Sequence, residues 1–422
     1  MMIRSTTPAA AFAVAALAAL QLLATGPAEA VKRRAFATSE VGSGNLNSWP
    51  DSGGLFGLAA GDNICRELAG NAGLPNANTY KAWLSTASTD AYCHVQGQTG
   101  KKATGCVGTA VPAGPWYRYD GVGRFTGTVD ELVGAEPRIY QPIRYDENGG
   151  DLSADTVSFW TGTEASGAAS PSTCAGWVVG TNGLNGLSGS AIHTTYDWTG
   201  LSLSPCHATR RLLCLEPGTS EVTPVPWVPA ALVFATSAIG AGDLGAWPEA
   251  AGATGLAAGD AICRNLAAAA HLPSPDSFFA WISSTTLDAG DRMRLTGIPI
   301  RRVDGFRIAD SKADLLANGS DNTLHVDERG RYLTEALRFR TSTYGDGTRE
   351  VDTTCLDWTS ASASADAMGG TANVAYNEQW TYDFLSSCEP ETRLLCFSNR
   401  EVLFWDGFEL TQNTERWSDA VP

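Results

Sequence analysis

After its first thirty residues the chain has no apolar run approaching the roughly 20 residues that a membrane-spanning helix needs. Bases are scarce as well: 29 Lys and Arg stand against 45 Asp and Glu, a net charge of −16. A surface of that sign repels phosphate backbones, which argues against nucleic acid as a partner. Close cysteine pairs are missing, the closest spacing being eight residues (Cys206 to Cys214 and Cys388 to Cys396), which argues against zinc sites of the Cys-x-x-Cys kind. The five histidines, His94, His193, His207, His271 and His325, include no two at metal-ligand spacing. Gly-x-Ser-x-Gly, His-Glu-x-x-His and phosphate-loop patterns are absent too. No catalytic set is legible, and the chain reads as a non-enzyme.

What is present begins with an export signal. Arg4 precedes an apolar stretch from Ala9 to Leu23, and Ala28-Glu29-Ala30 supplies the small-x-small pattern of a cleavage site. Residues 1–30 therefore read as a signal peptide, and the mature chain as secreted, periplasmic or held at the cell surface. All 10 cysteines follow that segment. An even number in an oxidising compartment reads as a disulfide framework, which leaves no thiol for nucleophilic work.

The chain is also duplicated. Gly57-Leu58-Ala59-Ala60-Gly61-Asp62-Asn63-Ile64-Cys65-Arg66 returns as Gly255-Leu256-Ala257-Ala258-Gly259-Asp260-Ala261-Ile262-Cys263-Arg264. The match runs without a gap from Phe36–Trp83 to Phe234–Trp281, with about half the positions identical. Later, Cys174-Ala175-Gly176-Trp177 answers to Cys355-Leu356-Asp357-Trp358, and both repeats close with Arg-Leu-Leu-Cys, at Cys214 and Cys396. The domains read as 31–217 and 232–398, with a linker at 218–231 and a tail at 399–422. Four prolines between Pro217 and Pro229 favour a stiff, extended spacer. The two repeats are accordingly expected to behave as beads with little mutual interface.

Within each repeat the pattern predicts α+β structure. Phe36-Ala37-Thr38-Ser39 reads as a strand. Ile64, Cys65, Leu68, Ala69 and Ala72 share one helical face, with Asp62 as a helix-start residue. Tyr80 to Ser85 alternates as a strand does, and short strands and loops fill the second half. The acidic turns Asp146-Glu147 and Asp327-Glu328 read as exposed turns, with calcium as the alternative, since their oxygens suit that ion. Ligand-binding residues are sought in the loops between the later framework cysteines. The candidates are Asn182, Asn185, His193 and Tyr196 in the first repeat, and Asn373, Tyr376 and Asn377 in the second.

Gly61-Asp62-x-x-Cys65 with Ala69, Ala82-x-Leu84-Ser85, Ile139-Tyr140, Trp160-x-Gly162, Cys174, Trp177, Cys206-His207 and Leu213-Cys214-Leu215-Glu216 together resemble endostatin, the C-terminal module of collagens XV and XVIII. The second repeat gives the same series with Asp260, Cys263, Cys355, Trp358, Cys388 and Cys396, though Glu389 replaces His207. The chain is similar, too, to a bacterial family of secreted domains of unknown function with this endostatin-like, C-type-lectin-like fold. The resemblance implies two tandem modules, each a mixed antiparallel sheet with one or two helices. It also implies which of the three possible pairings of four cysteines is used, the nested one. That gives Cys65–Cys214 around Cys174–Cys206, and Cys263–Cys396 around Cys355–Cys388. Cys93 and Cys106 are then left to close a local loop.

The departures from the family restrict function. Val31-Lys32-Arg33-Arg34 has no histidine, so endostatin's N-terminal zinc site is not carried over. The acidic chain lacks the basic surface that binds heparin. Glu136-Pro137-Arg138 departs from the calcium-dependent sugar motif of C-type lectins at its third position, and no Trp-Asn-Asp follows. The tail, with Asp406-Gly407-Phe408-Glu409 and then Trp417-Ser418, resembles a segment at the end of many secreted bacterial proteins, read as a sorting or retention signal or as a plain appendage. The resulting expectation is an exported recognition or adhesion protein with two lectin-like modules for a glycan or an extracellular or cell-surface protein. A secreted enzyme with an unrecognised site and a structural envelope protein are the alternatives.

Overall fold

A computed structural model describes residues 31–134, 137–154 and 157–403. The expected signal peptide, Glu136 and the tail motif beyond Leu403 lie outside the described residues. Among these residues no helix is long and apolar enough to cross a membrane.

The chain is α+β with mixed sheets. In the first repeat Arg211–Leu215 (Arg-Leu-Leu-Cys-Leu) lies at the middle of an eight-stranded sheet. It pairs antiparallel with Arg33–Ala37 and Lys81–Ala82, and parallel with Ser158–Trp160. A strand that is apolar at nearly every position needs cover on both faces. Successive side chains point to opposite faces, so Leu212 and Cys214 enter one core while Leu213 and Leu215 enter another. The second repeat repeats the arrangement around Leu395–Ser398. There Cys396 faces the core shared with Phe234, and Leu395 and Phe397 face the core shared with Val233. Its sheet is divided into five-stranded and three-stranded parts, joined at the corresponding place by the bridge Phe339↔Arg393.

One core of each repeat is closed by a helix, Gly57–Asn71 in the first and Gly255–Ala269 in the second. Ile64, Cys65, Leu68 and Ala69 form its buried stripe, as their spacing predicts. The helix lies so close to the sheet that a Cβ on Gly61 would stand 2.7 Å from Leu84, and one on Gly259 2.8 Å from Ile282. Only glycine permits that approach. Asp62 is not a helix-start residue. The helix opens at Gly57 with Phe56 as N-cap, so Asp62 falls in the second turn and is buried. The strand expected over Tyr80–Ser85 is reduced to Lys81–Ala82: Trp83 N–H still reaches the Leu213 carbonyl, but Leu84 N–H turns back to the Ala82 carbonyl and Ser85 N–H goes to the Thr161 carbonyl instead.

Five disulfides staple the sheets. The bonds are Cys65–Cys214, Cys174–Cys206 and Cys93–Cys106 in the first repeat, and Cys263–Cys396 and Cys355–Cys388 in the second. This is the nested arrangement. The outer bridge ties the helix to the central strand, and the inner one ties the start of the long loop to its return.

The expectation of separate beads is corrected. The described residues from Val31 onward form one compact unit. The repeats cross as antiparallel chains at His193 and Val374. Thr194 N–H donates to the Asn373 carbonyl and Ala375 N–H to the Ile192 carbonyl, both at 2.9 Å. Arg144 reaches Asp321 at 3.1 Å, and Tyr140 stacks on Phe306 with ring centroids 5.5 Å apart. The spacer is also less free than its prolines suggest. Gly218 exchanges backbone hydrogen bonds with Pro112 and Gly114, Ser220 Oγ donates to the Pro115 carbonyl, and Thr223 N–H donates to the Tyr117 hydroxyl.

Candidate recognition clefts

The duplicated Cys-x-x-Trp stretch has an unusual backbone. Cys174, Ala175, Gly176 and Trp177 have φ of 47°, 56°, 78° and 70°, and Cys355, Leu356, Asp357 and Trp358 have 50°, 53°, 52° and 67°. Each is a single left-handed turn built largely without glycine, which costs about 1–2 kcal/mol per non-glycine residue. Such strain persists only where the surroundings impose it. Here a threonine caps the turn: Thr173 Oγ1 accepts from Gly176 N–H at 3.2 Å and Thr354 Oγ1 from Asp357 N–H at 3.1 Å. The indoles anchor it from beneath, Trp177 donating to the Ser85 carbonyl at 2.8 Å and Trp358 to the Ser283 carbonyl at 2.7 Å. The inner disulfide holds the cysteine end.

The anchored turn forms one wall of a surface cleft in each repeat. The first, about 580 Å³, is lined by Thr86, Ser88, Pro171, Ser172, Thr173, Ala175, Gly176, Leu184 and Asn185. The second, about 750 Å³, has Thr285, Val351, Asp352, Thr354, Leu356, Asp357, Ser360, Ser362, Ser364 and Asp366 at its walls. Thr173, Ala175, Gly176 and Asn185 take the places of Thr354, Leu356, Asp357 and Asp366. The clefts therefore correspond at these four positions, although their chemistry has diverged. The first is neutral and rich in hydroxyl groups. The second adds carboxylates and a leucine, Leu356, that is 70 % exposed. Asp357 is held by Thr285, whose N–H and Oγ1 donate to its two oxygens at 2.7 and 2.8 Å.

The loop candidates separate into two groups. Asn185 lines the first cleft, and Asn182 is exposed in the same loop. His193, Tyr196 and Asn373 instead lie where the repeats meet. Asn373 Nδ2 donates to Asp197 at 2.8 Å and to Thr195 Oγ1 at 3.0 Å, and the Tyr196 hydroxyl donates to the Thr334 carbonyl at 2.8 Å. His193 Nδ1 lies 2.9 Å from Ser190 Oγ. Asn377 bridges to Gly319, and half-buried Tyr376 precedes it. The residues missed were Leu356, Asp357 and Asp366. Comparing Ala175-Gly176 with Leu356-Asp357 across the duplication would have drawn attention to the first two.

Two other polar groupings resolve as structural. Asp62 accepts from the Ala82 N–H at 3.0 Å and from Lys81 Nζ at 3.0 Å, and lies 2.8 Å from His94 Nε2. Burial pushes its carboxyl up, but the His94 hydrogen bond and charge, with Lys81 and the Ala82 amide, outweigh this and hold it below the usual carboxylate range. A buried Asp–His pair invites a catalytic reading. The second repeat answers it: Asp260 accepts from Ala280 N–H at 3.1 Å, and Arg292 takes the place of His94. A guanidinium does no proton transfer at ordinary pH, so the shared role is to clamp helix, strand and following turn together.

The acidic turns, expected to be exposed, are largely buried (Glu147, Asp327 and Glu328), because their oxygens are taken by nearby donors. Asp146 Oδ1 accepts from Asn148 N–H at 2.9 Å and Gly150 N–H at 2.7 Å, and Asp327 Oδ1 from Arg329 N–H at 2.9 Å and Arg331 N–H at 3.0 Å. Glu147 and Glu328 are buried and accept from the N–H and hydroxyl groups of Ser39 and Ser237. Protein donors thus occupy these oxygens. No group of three or more His, Cys, Asp and Glu is placed to hold a metal among the described residues.

No family model matches the chain, and no curated protein matches it.

Proposed function

We propose that the protein is an exported, non-enzymatic recognition or adhesion protein whose two lectin-like repeats each present one ligand cleft. The observation that carries this reading is the duplicated left-handed turn. Both repeats retain a costly backbone at the same place, and in both it walls a surface cleft, while the residues facing the cleft differ. Strain kept on a rigid, disulfide-stapled scaffold is typical of binding and clamp sites. The neutral first cleft suits an uncharged polar group such as a saccharide hydroxyl face, and Leu356 offers an apolar contact at the second. Two clefts on one chain add avidity for a repeated surface ligand. The resemblance to endostatin and C-type lectins points the same way.

The test is a screen of the mature protein against glycan and extracellular-matrix arrays, with the double variant Asn185→Ala/Leu356→Ser beside it. Binding that the variant weakens is the expected result. No binding on any array, or equal binding by the variant, would overturn the reading.

A further inference from the structure

The crossing of the repeats uses the same segment from each side. Thr194 N–H to Asn373 O and Ala375 N–H to Ile192 O are related as the two halves of a two-fold contact. This is the geometry of an isologous dimer interface, here formed within one chain. Beside the crossing, the Tyr140 carbonyl of the first repeat accepts from Arg302 Nη2 at 2.8 Å and Asn322 Nδ2 at 3.2 Å of the second.

His325 lies in this layer and is 1 % exposed. Its Nδ1 is 2.8 Å from Thr323 Oγ1 in its own repeat and 3.4 Å from Thr194 Oγ1 across the junction. Its Nε2 is buried and has no partner among the described residues. The ring stands edge-on to Tyr332, centroids 5.4 Å apart. The charged and titratable groups around it are few. Arg302 is paired with Asp304 at 2.7 Å, the Tyr332 hydroxyl donates to the same carboxylate at 2.5 Å, and Tyr140 stacks edge-on against Tyr332 from the first repeat. Arg144, which occupies the place of His325 in the first repeat, is already paired with Asp151 and Asp321.

We propose that His325 is an acid-operated latch, whose protonation loosens the contact between the two repeats. The neutral ring with its proton on Nδ1 fits: Nδ1 meets hydroxyl groups, and Nε2 is buried where it needs no acceptor. The protonated ring does not. It gains a second N–H with no acceptor and a charge beside Arg302, in a layer that water does not reach, and each of these destabilises the closed arrangement. Opening the junction hydrates the ring and relieves both.

Burial first, and the Arg302 charge second, hold the His325 imidazole well below its usual value. The sign follows. A histidine whose folded-state pKa is depressed leaves the closed junction fully stabilised above the unfolded value, about 6.5. That stabilisation is lost progressively as pH falls from there toward the folded-state value. A second histidine must be separated from this effect. His193 sits at the crossing itself; burial lowers its pKa, while Asp197 and Asp383 act in the opposite direction.

The experiment is hydrogen exchange on the mature chain, reading protection of the Thr194 and Ala375 amides, corrected for intrinsic exchange, from about pH 7.5 to about pH 5. The expected result is a loss of protection of roughly tenfold or more in the native protein and in His193→Gln, a smaller loss in His325→Gln, and no pH-dependent loss in His193→Gln/His325→Gln. Flat protection in the native protein, or the same loss in His325→Gln, would overturn the proposal. Should His325→Gln fail to fold, an NMR titration of the native His325 ring decides. The ring must stay neutral in the closed protein well below the ordinary histidine value, and a ring titrating at that value overturns the latch.

Discussion

At the scale of single residues, the left-handed turn sets strain against recognition. Leu356 has φ of 53° and is 70 % exposed, so it contributes little packing in return for its conformation. Replacing it with glycine relieves the left-handed penalty of about 1–2 kcal/mol, partly offset by the freedom glycine adds to the unfolded chain. Leu356→Gly is therefore expected to raise the unfolding midpoint slightly while weakening binding on the array. A drop in midpoint would show that the side chain packs more than its exposure suggests. Asp62 is the opposite case. Its oxygens serve a lysine, a histidine and a backbone amide from residues up to 32 positions away. Asp62→Asn leaves those donors poorly matched and should cost about 3 kcal/mol in urea unfolding at neutral pH. Because the native carboxyl is held low, its contribution is present above the unfolded value of about 3.9 and is lost as pH falls through the folded-state pKa. The acid limb of stability should be shallower in the variant.

At the scale of elements, the disulfides differ in what they constrain. Cys65–Cys214 spans 149 positions and joins the helix to the central strand, whereas Cys93–Cys106 spans 13. In the chain-entropy model these loops are worth about 5 and about 3 kcal/mol. Cys65 and Cys214 are also both in the core, so their removal leaves a cavity as well. The double variant Cys65→Ala/Cys214→Ala is expected to lose distinctly more stability than Cys93→Ala/Cys106→Ala, read by denaturant unfolding under oxidising conditions. Equal losses would mean that the unfolded chain is already compact around the longer loop. The helix itself was readable because its buried stripe repeats at helical spacing. The strand at Tyr80–Ser85 was read too long, because its alternation runs on while Leu84 N–H turns back to the Ala82 carbonyl and Ser85 N–H goes to the Thr161 carbonyl, a bend that no local pattern announces.

For the whole molecule, the junction changes what the duplication means. Each repeat has its own cores and bridges, so residues 31–217 and 228–399 should each fold when produced separately in an oxidising compartment. They should also unfold at lower denaturant than the intact chain, because separation exposes Tyr140, Asn373 and His325 and leaves the amides of Thr194 and Ala375 without their partners. Unfolding midpoints of halves and whole check this. Halves as stable as the whole would restore the bead picture.

The duplication, the α+β class, the helix face and the even cysteine set were open to reading in the sequence, because each rests on local periodicity or on composition. The pairing of the cysteines was accessible only through the resemblance to endostatin, since four framework cysteines in one repeat permit three pairings by themselves. Of the loop candidates, Asn185 lines a cleft, whereas His193, Tyr196 and Asn373 serve the junction, and nothing local distinguishes the two fates. Tertiary structure decided that, because a loop polar group is committed by whichever donor or acceptor the fold brings to it. Asp62 shows the same limit: its partners lie in other elements, and only folding placed them around one carboxylate. The left-handed turn was hidden for a related reason. Cys355-Leu356-Asp357-Trp358 has no local preference for that conformation, which is imposed by a threonine cap, a buried indole and a disulfide that meet only in the folded chain.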